Sequence, residues 1–217
     1  MNEKKDILIV GVGGQGIILA SEILADAGKE AGFEVKKSEV HGMSQRGGSV
    51  STHVRFGRQV FSPLIRDGEA DLLLAFELLE SLRWVNFVRP QGSILVNNLK
   101  INPLPVSTGS MQYPPDIENL LHKSGRQIKL IEGVDLAEQA GNKKAMNMVL
   151  LGALSDLLPE IPDDKWLQVI QSRVPAKTRE VNEQAFHLGR KSMEKSMEKS
   201  MKNTGDNSVN KSMEKSI

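Results

Sequence analysis

One stretch near the start of the chain limits its fold more than any other. Ile7-Leu-Ile-Val10 is a short apolar, mostly β-branched run that reads as a buried strand. Gly11-Val-Gly-Gly-Gln-Gly16 follows without a break. Ile17, Leu19, Ala20, Ile23, Leu24 and Ala27 then fall at helical spacing, and Gly32 marks the stop. Phe33–Val40 reads as a second strand. Strand, glycine turn, helix and strand in this order begin an α/β sheet of parallel strands. The expected fold is therefore α/β, a Rossmann-like three-layer sandwich around a mostly parallel sheet.

The rest of the chain fits that expectation. Val50, Thr52, Val54 and Phe56 alternate with Ser51, His53 and Arg55, as in a strand with two unlike faces. Gly57-Arg58 suggests a tight turn into a hairpin partner over Gln59–Ser62. His53, among polar neighbours, reads as a surface residue. Asp71–Ala75, Ser93–Val96 and Gln127–Ile131 read as further strands, with helices near Glu77–Phe87, Leu136–Ala140, Ala145–Leu158 and Lys165–Gln171. Pro175 opens a last helix. After about Arg190 the chain repeats Lys-Ser-Met-Glu, at 191–194, 195–198 and 211–214. With methionine as its main apolar residue, residues 191–217 read as a low-complexity tail on a domain spanning 1–190.

Composition removes several functions. The 217 residues carry 28 Lys plus Arg against 27 Asp plus Glu, a net charge of +1, without the basic surplus of a nucleic-acid binder. There is no cysteine, so the chain offers no disulfide, thiolate zinc site or cysteine-ligated iron–sulfur cluster. Its four histidines, His41, His53, His122 and His187, have no close metal-ligand spacing, and no metal site is expected. The polar start and the lack of an apolar run of roughly 18 residues point away from export and membrane, and so to the cytoplasm.

Two segments carry candidate chemistry. Gly11, Gly13, Gly14 and Gly16 form a glycine loop whose backbone admits close approach, opening a helix whose free amides favour an anion. The match to a dinucleotide fingerprint is weak alone, because Glu39, near the end of the second strand, is followed by His41-Gly42 and not by a ribose-binding loop. Two readings stand: a ligand loop, or glycines that let strand and helix pack closely. The second segment runs through His41, Ser44, Gln45, Arg46, Gly47 and Gly48, just past a strand end where open α/β sheets place functional loops. Arg46 can donate paired hydrogen bonds to a carboxylate or phosphate, and Gly47-Gly48 admit a second molecule. A structural alternative has Arg46 capping a helix or pairing with an acid such as Glu77. Ser44 and His41 lack an evident orienting acid, so no nucleophile–base pair and no catalytic residue is assigned.

Taken together, Gly11-Val-Gly-Gly-Gln-Gly-Ile17, His41-Gly-Met-Ser-Gln-Arg-Gly-Gly-Ser-Val50, Asp71-Leu-Leu-Leu-Ala-Phe-Glu77 and Asn147-Met-Val-Leu-Leu-Gly152 resemble the gamma-type domain of the pyruvate and related 2-oxoacid:ferredoxin oxidoreductases. The likeness covers about residues 6–190 and is closest to the small subunits of the indolepyruvate branch. The resemblance implies a hetero-oligomeric oxidoreductase of aromatic amino acid catabolism. A large alpha subunit would hold thiamine diphosphate, Mg and 4Fe-4S clusters, coenzyme A would be cosubstrate, and electrons would pass to ferredoxin. It also implies that this chain holds no redox cofactor and is inactive alone; the placement of Arg46 between polar residues and two glycines at a strand end leads to the expectation that the His41–Gly48 segment faces the partner's active site. The alternatives are a pyruvate- or 2-oxoglutarate-specific relative, an independent nucleotide-binding protein, and a scaffold without a role in the chemistry.

Overall fold

A computed structural model describes residues 4–41 and 47–194, with His41 described by its backbone alone. Six strands form one sheet: β1 Lys5–Val12, β2 Glu34–His41, β3 Ser49–Gly57, β4 Ala70–Ala75, β5 Val88–Asn97 and β6 Gln127–Ile131. Their order is β2-β3-β1-β4-β5-β6. Neighbours from β1 to β6 run parallel, whereas β3 is antiparallel to both β1 and β2. The sheet is thus mostly parallel, as expected, but the first βαβ unit does not close on itself. β3 inserts between β1 and β2.

The helices are α1 Ile17–Glu30, α2 Leu78–Trp84, α3 Leu104–Ser107, α4 Ile117–Lys123, α5 Gly133–Gln139, α6 Met146–Asp156, α7 Asp163–Arg173 and a last helix, α8, over 179–194. Strand alternation sorts them into two outer layers. Ile7, Ile9, Leu72, Leu74 and Leu95 point to one face, against apolar residues of α1, α6, α7 and α8. Leu8, Val10, Leu73, Ile94 and Val96 point to the other, against Ile117 and Leu121 of α4 and the apolar side of α2. Residues buried on both faces explain why β1, β4 and β5 read as continuous apolar runs.

Two expectations need correction. Gln59–Ser62 forms no strand. Arg55 donates to the carbonyls of Ser62 and Leu64, and His53 Nδ1 accepts the Ile65 N–H at 3.1 Å, so side chains of β3 take the backbone groups a ladder would have used. For the same reason His53 is not on the surface. It is 6% exposed, and the loop it anchors covers it.

The last helix also bears on the chain's end. α8 continues to residue 194, Met193 is buried, and Lys129 Nζ donates to the Met193 carbonyl at 2.9 Å. The first Lys-Ser-Met-Glu repeat therefore belongs to the packed body, and residues 195–217 lie outside the described residues. Truncation after Glu194 is expected to leave the melting temperature within about 2 °C of the full chain, because the repeats beyond it carry little apolar side chain to repay ordering. Truncation after Arg190 removes the buried Met193 and is expected to lower it by several degrees more. Differential scanning calorimetry of the two truncations checks both.

Candidate functional site

The carboxyl ends of β1, β4 and β5 bring four segments together: the glycine loop after β1, residues 47–49 leading into β3, the start of α2 after β4, and the connection after β5. Val12 lies opposite Ser49 in the β1–β3 ladder, which sets the first two side by side. The contact is tight. Gly13 N–H donates to Gly48 O at 2.8 Å, and Gly47 N–H to Gly13 O at 3.4 Å. The glycine loop and Gly47-Gly48, marked separately in the sequence, thus lie side by side. Ser44, Gln45 and Arg46 lie outside the described residues, as does the His41 side chain.

Within the glycine loop, different glycines have different reasons. A Cβ on Gly11 would lie 2.7 Å from both Gln15 Oε1 and Phe76 Cβ, and one on Gly16 would lie 2.7 Å from Asn147 Nδ2. Gly11 is a packing glycine, and Gly16, with a φ of 83°, is required by its conformation as well as by crowding. Gln15 completes the turn by accepting the Val12 N–H at 2.7 Å and donating to Phe76 O at 2.9 Å. Gly14, with a φ of 102°, has nothing within 4 Å of where a Cβ would stand, so its conformation and not crowding demands glycine. Gly13, Gly14, Gly16, Ile17, Ile18, Leu19, Glu22 and Val50 line a cleft of about 550 Å³. Among the described residues its walls are mainly apolar, and the charged one is an acid, Glu22.

The sheet order weakens the dinucleotide reading. In that type of site the strand after the first helix lies beside β1 and offers an acid to the ribose. Here antiparallel β3 occupies that place, and Glu39 on the outer strand pairs with Lys37.

Two glutamates that the sequence reading did not assign to the site organise its other side. Glu77 is 1% exposed and Glu80 3% exposed, at the start of α2. Glu77 caps that helix, accepting the Glu80 N–H through Oε2 at 2.9 Å. Its Oε1 accepts the Ile101 N–H at 3.1 Å and the Tyr113 hydroxyl at 2.6 Å. Burial, followed by the bond to the Glu77 carboxylate, raises the Tyr113 phenol well above its ordinary value, so it stays a donor. Glu80 accepts Ser49 Oγ at 2.6 Å and Arg83 at 2.7 Å. Glu77 is therefore engaged elsewhere, and the expected alternative pairing of Arg46 with Glu77 would compete with these three donors. Burial across a span of tens of residues leaves no local mark, and glutamate is not among the residues that signal a helix N-cap.

Among the described residues no three His, Asp or Glu side chains gather as a metal site, and the sequence has no thiolate. The described residues thus offer no ligand set for a metal-bound diphosphate, and the sequence none for a cysteine-ligated iron–sulfur cluster. Nor, among the described residues, is any helix long and apolar enough to cross a membrane.

The chain is thus a three-layer α/β domain whose glycine loop is hydrogen-bonded to a second glycine pair beyond β2. Over residues 6–192 the chain matches the pyruvate ferredoxin/flavodoxin oxidoreductase family, and it belongs to that family. It is 41% identical over 192 residues to the indolepyruvate oxidoreductase subunit IorB of Thermococcus kodakarensis, covering 86% of this chain and 95% of the relative. The same subunit from Pyrococcus horikoshii is 40% identical with the same coverage. Among solved structures, the 2-oxoglutarate:ferredoxin oxidoreductase from Magnetococcus marinus, with 2-oxoglutarate, coenzyme A and succinyl-CoA bound, aligns with a TM-score of 0.69 at 21% identity. That alignment covers 89% of this chain and 32% of the other, so in that enzyme the same fold is one part of a longer polypeptide.

Proposed function

We propose that this chain is the small subunit of an indolepyruvate oxidoreductase, working in the cytoplasm with a large alpha subunit, coenzyme A and ferredoxin. The observation that carries the reading is the 41% identity extending over 95% of a relative of that name. Thiamine diphosphate with Mg, and 4Fe-4S clusters, belong to the large subunit in this reading; they supply decarboxylation of an aryl pyruvate and removal of two electrons. The part left to this chain is positioning and enclosure, which raise rates by orienting reactants and excluding water. The mutually bonded glycine loop and Gly47-Gly48 provide a rigid base, and the His41–Gly48 segment faces the partner's active site. Arg46 meets an anionic group there, a 2-oxoacid carboxylate, a coenzyme A phosphate or a partner carboxylate.

Coexpression with the candidate large subunit tests the assignment. The two are expected to elute together, and the isolated small chain to reduce no dye with indolepyruvate. A small chain that is active alone overturns the proposal.

Arg46→Ala tests the loop's role within the assembled complex. Loss of one charge-assisted bond costs about 1.5–3 kcal/mol, so kcat/KM for the 2-oxoacid or for coenzyme A is expected to fall by roughly one to two powers of ten. Arg46→Lys is expected to restore little where the bond is bidentate, since an ammonium cannot reproduce the fork. Normal assembly with wild-type kinetics for both substrates would make the segment structural only.

A further inference from the structure

The Glu80 carboxylate lies within the protein, yet its hydrogen bond to Ser49 reaches across 31 residues to the segment entering β3. Burying a carboxylate is costly unless donors compensate it, so such a group holds its donors firmly. Here the donors are Ser49 Oγ at 2.6 Å and the more exposed Arg83. Ser49 directly follows Gly48, whose carbonyl accepts the Gly13 N–H. One carboxylate thus fixes the hydroxyl next to the glycine pair, and the glycine pair fixes the loop after β1. Glu80 is in turn tied through its own N–H to Glu77, which holds Ile101 and Tyr113 of the connection after β5.

We infer that Glu80, acting through Ser49, is a positioning residue for the reaction: it sets the register of Gly47-Gly48 against the glycine loop and so the placement of the surface offered to the partner's active site. The fold itself does not demand this bond. Glu77 already caps α2, and the β1–β3 ladder already fixes the strand that Ser49 begins. The bond adds definition at the end of the ladder, where the chain leaves the sheet. The inference rests on the reading that the His41–Gly48 segment faces the active site.

The test uses the complex assembled with the large subunit. Ser49→Ala and Glu80→Gln are each expected to lower kcat/KM for the 2-oxoacid or coenzyme A roughly tenfold, the value of one charge-assisted bond. The double variant is expected to be no worse than the poorer single one, because both remove the same contact. Ser49→Thr keeps the hydroxyl and is expected to restore activity. In Ser49→Ala the melting temperature is expected to fall by a few degrees, since Glu80 loses a donor, and the Gly13 amide to exchange its hydrogen faster; a merely structural role predicts that fall with wild-type kinetics. Should Glu80→Gln fail to fold, Ser49→Ala and Ser49→Thr still decide. Native kinetics in Ser49→Ala, or a double variant whose losses add in full, overturns the inference. If those variants are native while Arg46→Ala is impaired, only the positioning inference fails. If all three are native, the reading of the segment fails with it.

Discussion

Gly152→Ala is expected to lower stability by about 3 kcal/mol, at the upper end of what overpacking a core costs. A Cβ at Gly152 would stand 1.9 Å from the Phe186 carbonyl oxygen, and one at Gly189 would stand 1.9 Å from the Val149 carbonyl oxygen. α6 and α8 therefore cross backbone to backbone, each with a glycine at the contact. No side chain can swing aside, so the helices must separate, and Phe186 and Leu154, both buried in the same core, move with them. Alanine's better helix propensity returns only about 1 kcal/mol. For a chain of this length the melting temperature should drop by roughly 6–12 °C. Gly189→Ala should do much the same. The double variant should lose less than the sum, because a separation that accommodates one methyl accommodates the other. Thermal unfolding of the three variants measures this.

Asp6→Ala is expected to cost about 3–5 kcal/mol, the penalty for leaving a buried charge without its partner. Arg55 donates to Asp6 with Nε at 2.8 Å and with its second terminal nitrogen at 2.9 Å, a bidentate pair between side chains 10% and 3% exposed. Its remaining nitrogen holds the Ser62 and Leu64 carbonyls. Removing Asp6 therefore loosens the 58–66 loop as well as the sheet, and limited proteolysis should cut there first. Acid acts at the same place. Burial, and then the charge of Arg55, hold the His53 imidazole below its ordinary value of 6.5. The unfolded chain takes up that proton more readily than the folded one, so this contribution is present above about pH 6.5 and is lost as pH falls below it.

These residues also mark what the sequence disclosed. β1, β4 and β6 were readable because strands buried on both faces or bounded by turns are locally apolar, and the glycine loop because a sharp strand-to-helix turn demands glycine. β3 was readable as a strand but not as an inserted antiparallel one. Its polar alternation suggested a solvent face, whereas Arg55 and His53 are buried against Asp6 and the 58–66 loop. Pairing across 49 residues carries no periodic signature. α3 was missed because four residues are below the length at which helical periodicity can be told from chance, and α4 because it buries just two residues, Ile117 and Leu121, in a polar stretch. The contact between the glycine loop and Gly47-Gly48 was anticipated only in that both segments were marked. Glu77 and Glu80 looked like ordinary polar residues of a helix start, since their importance comes from burial and from partners distant in sequence.

Substrate-resolved turnover by the reconstituted two-subunit complex, with coenzyme A and a ferredoxin or dye acceptor, decides which 2-oxoacid the enzyme takes. For an indolepyruvate enzyme, kcat/KM for indolepyruvate is expected to exceed that for pyruvate and for 2-oxoglutarate by at least roughly tenfold, the discrimination that little more than one well-placed contact provides. Equal or greater turnover of pyruvate or 2-oxoglutarate would contradict the indolepyruvate assignment.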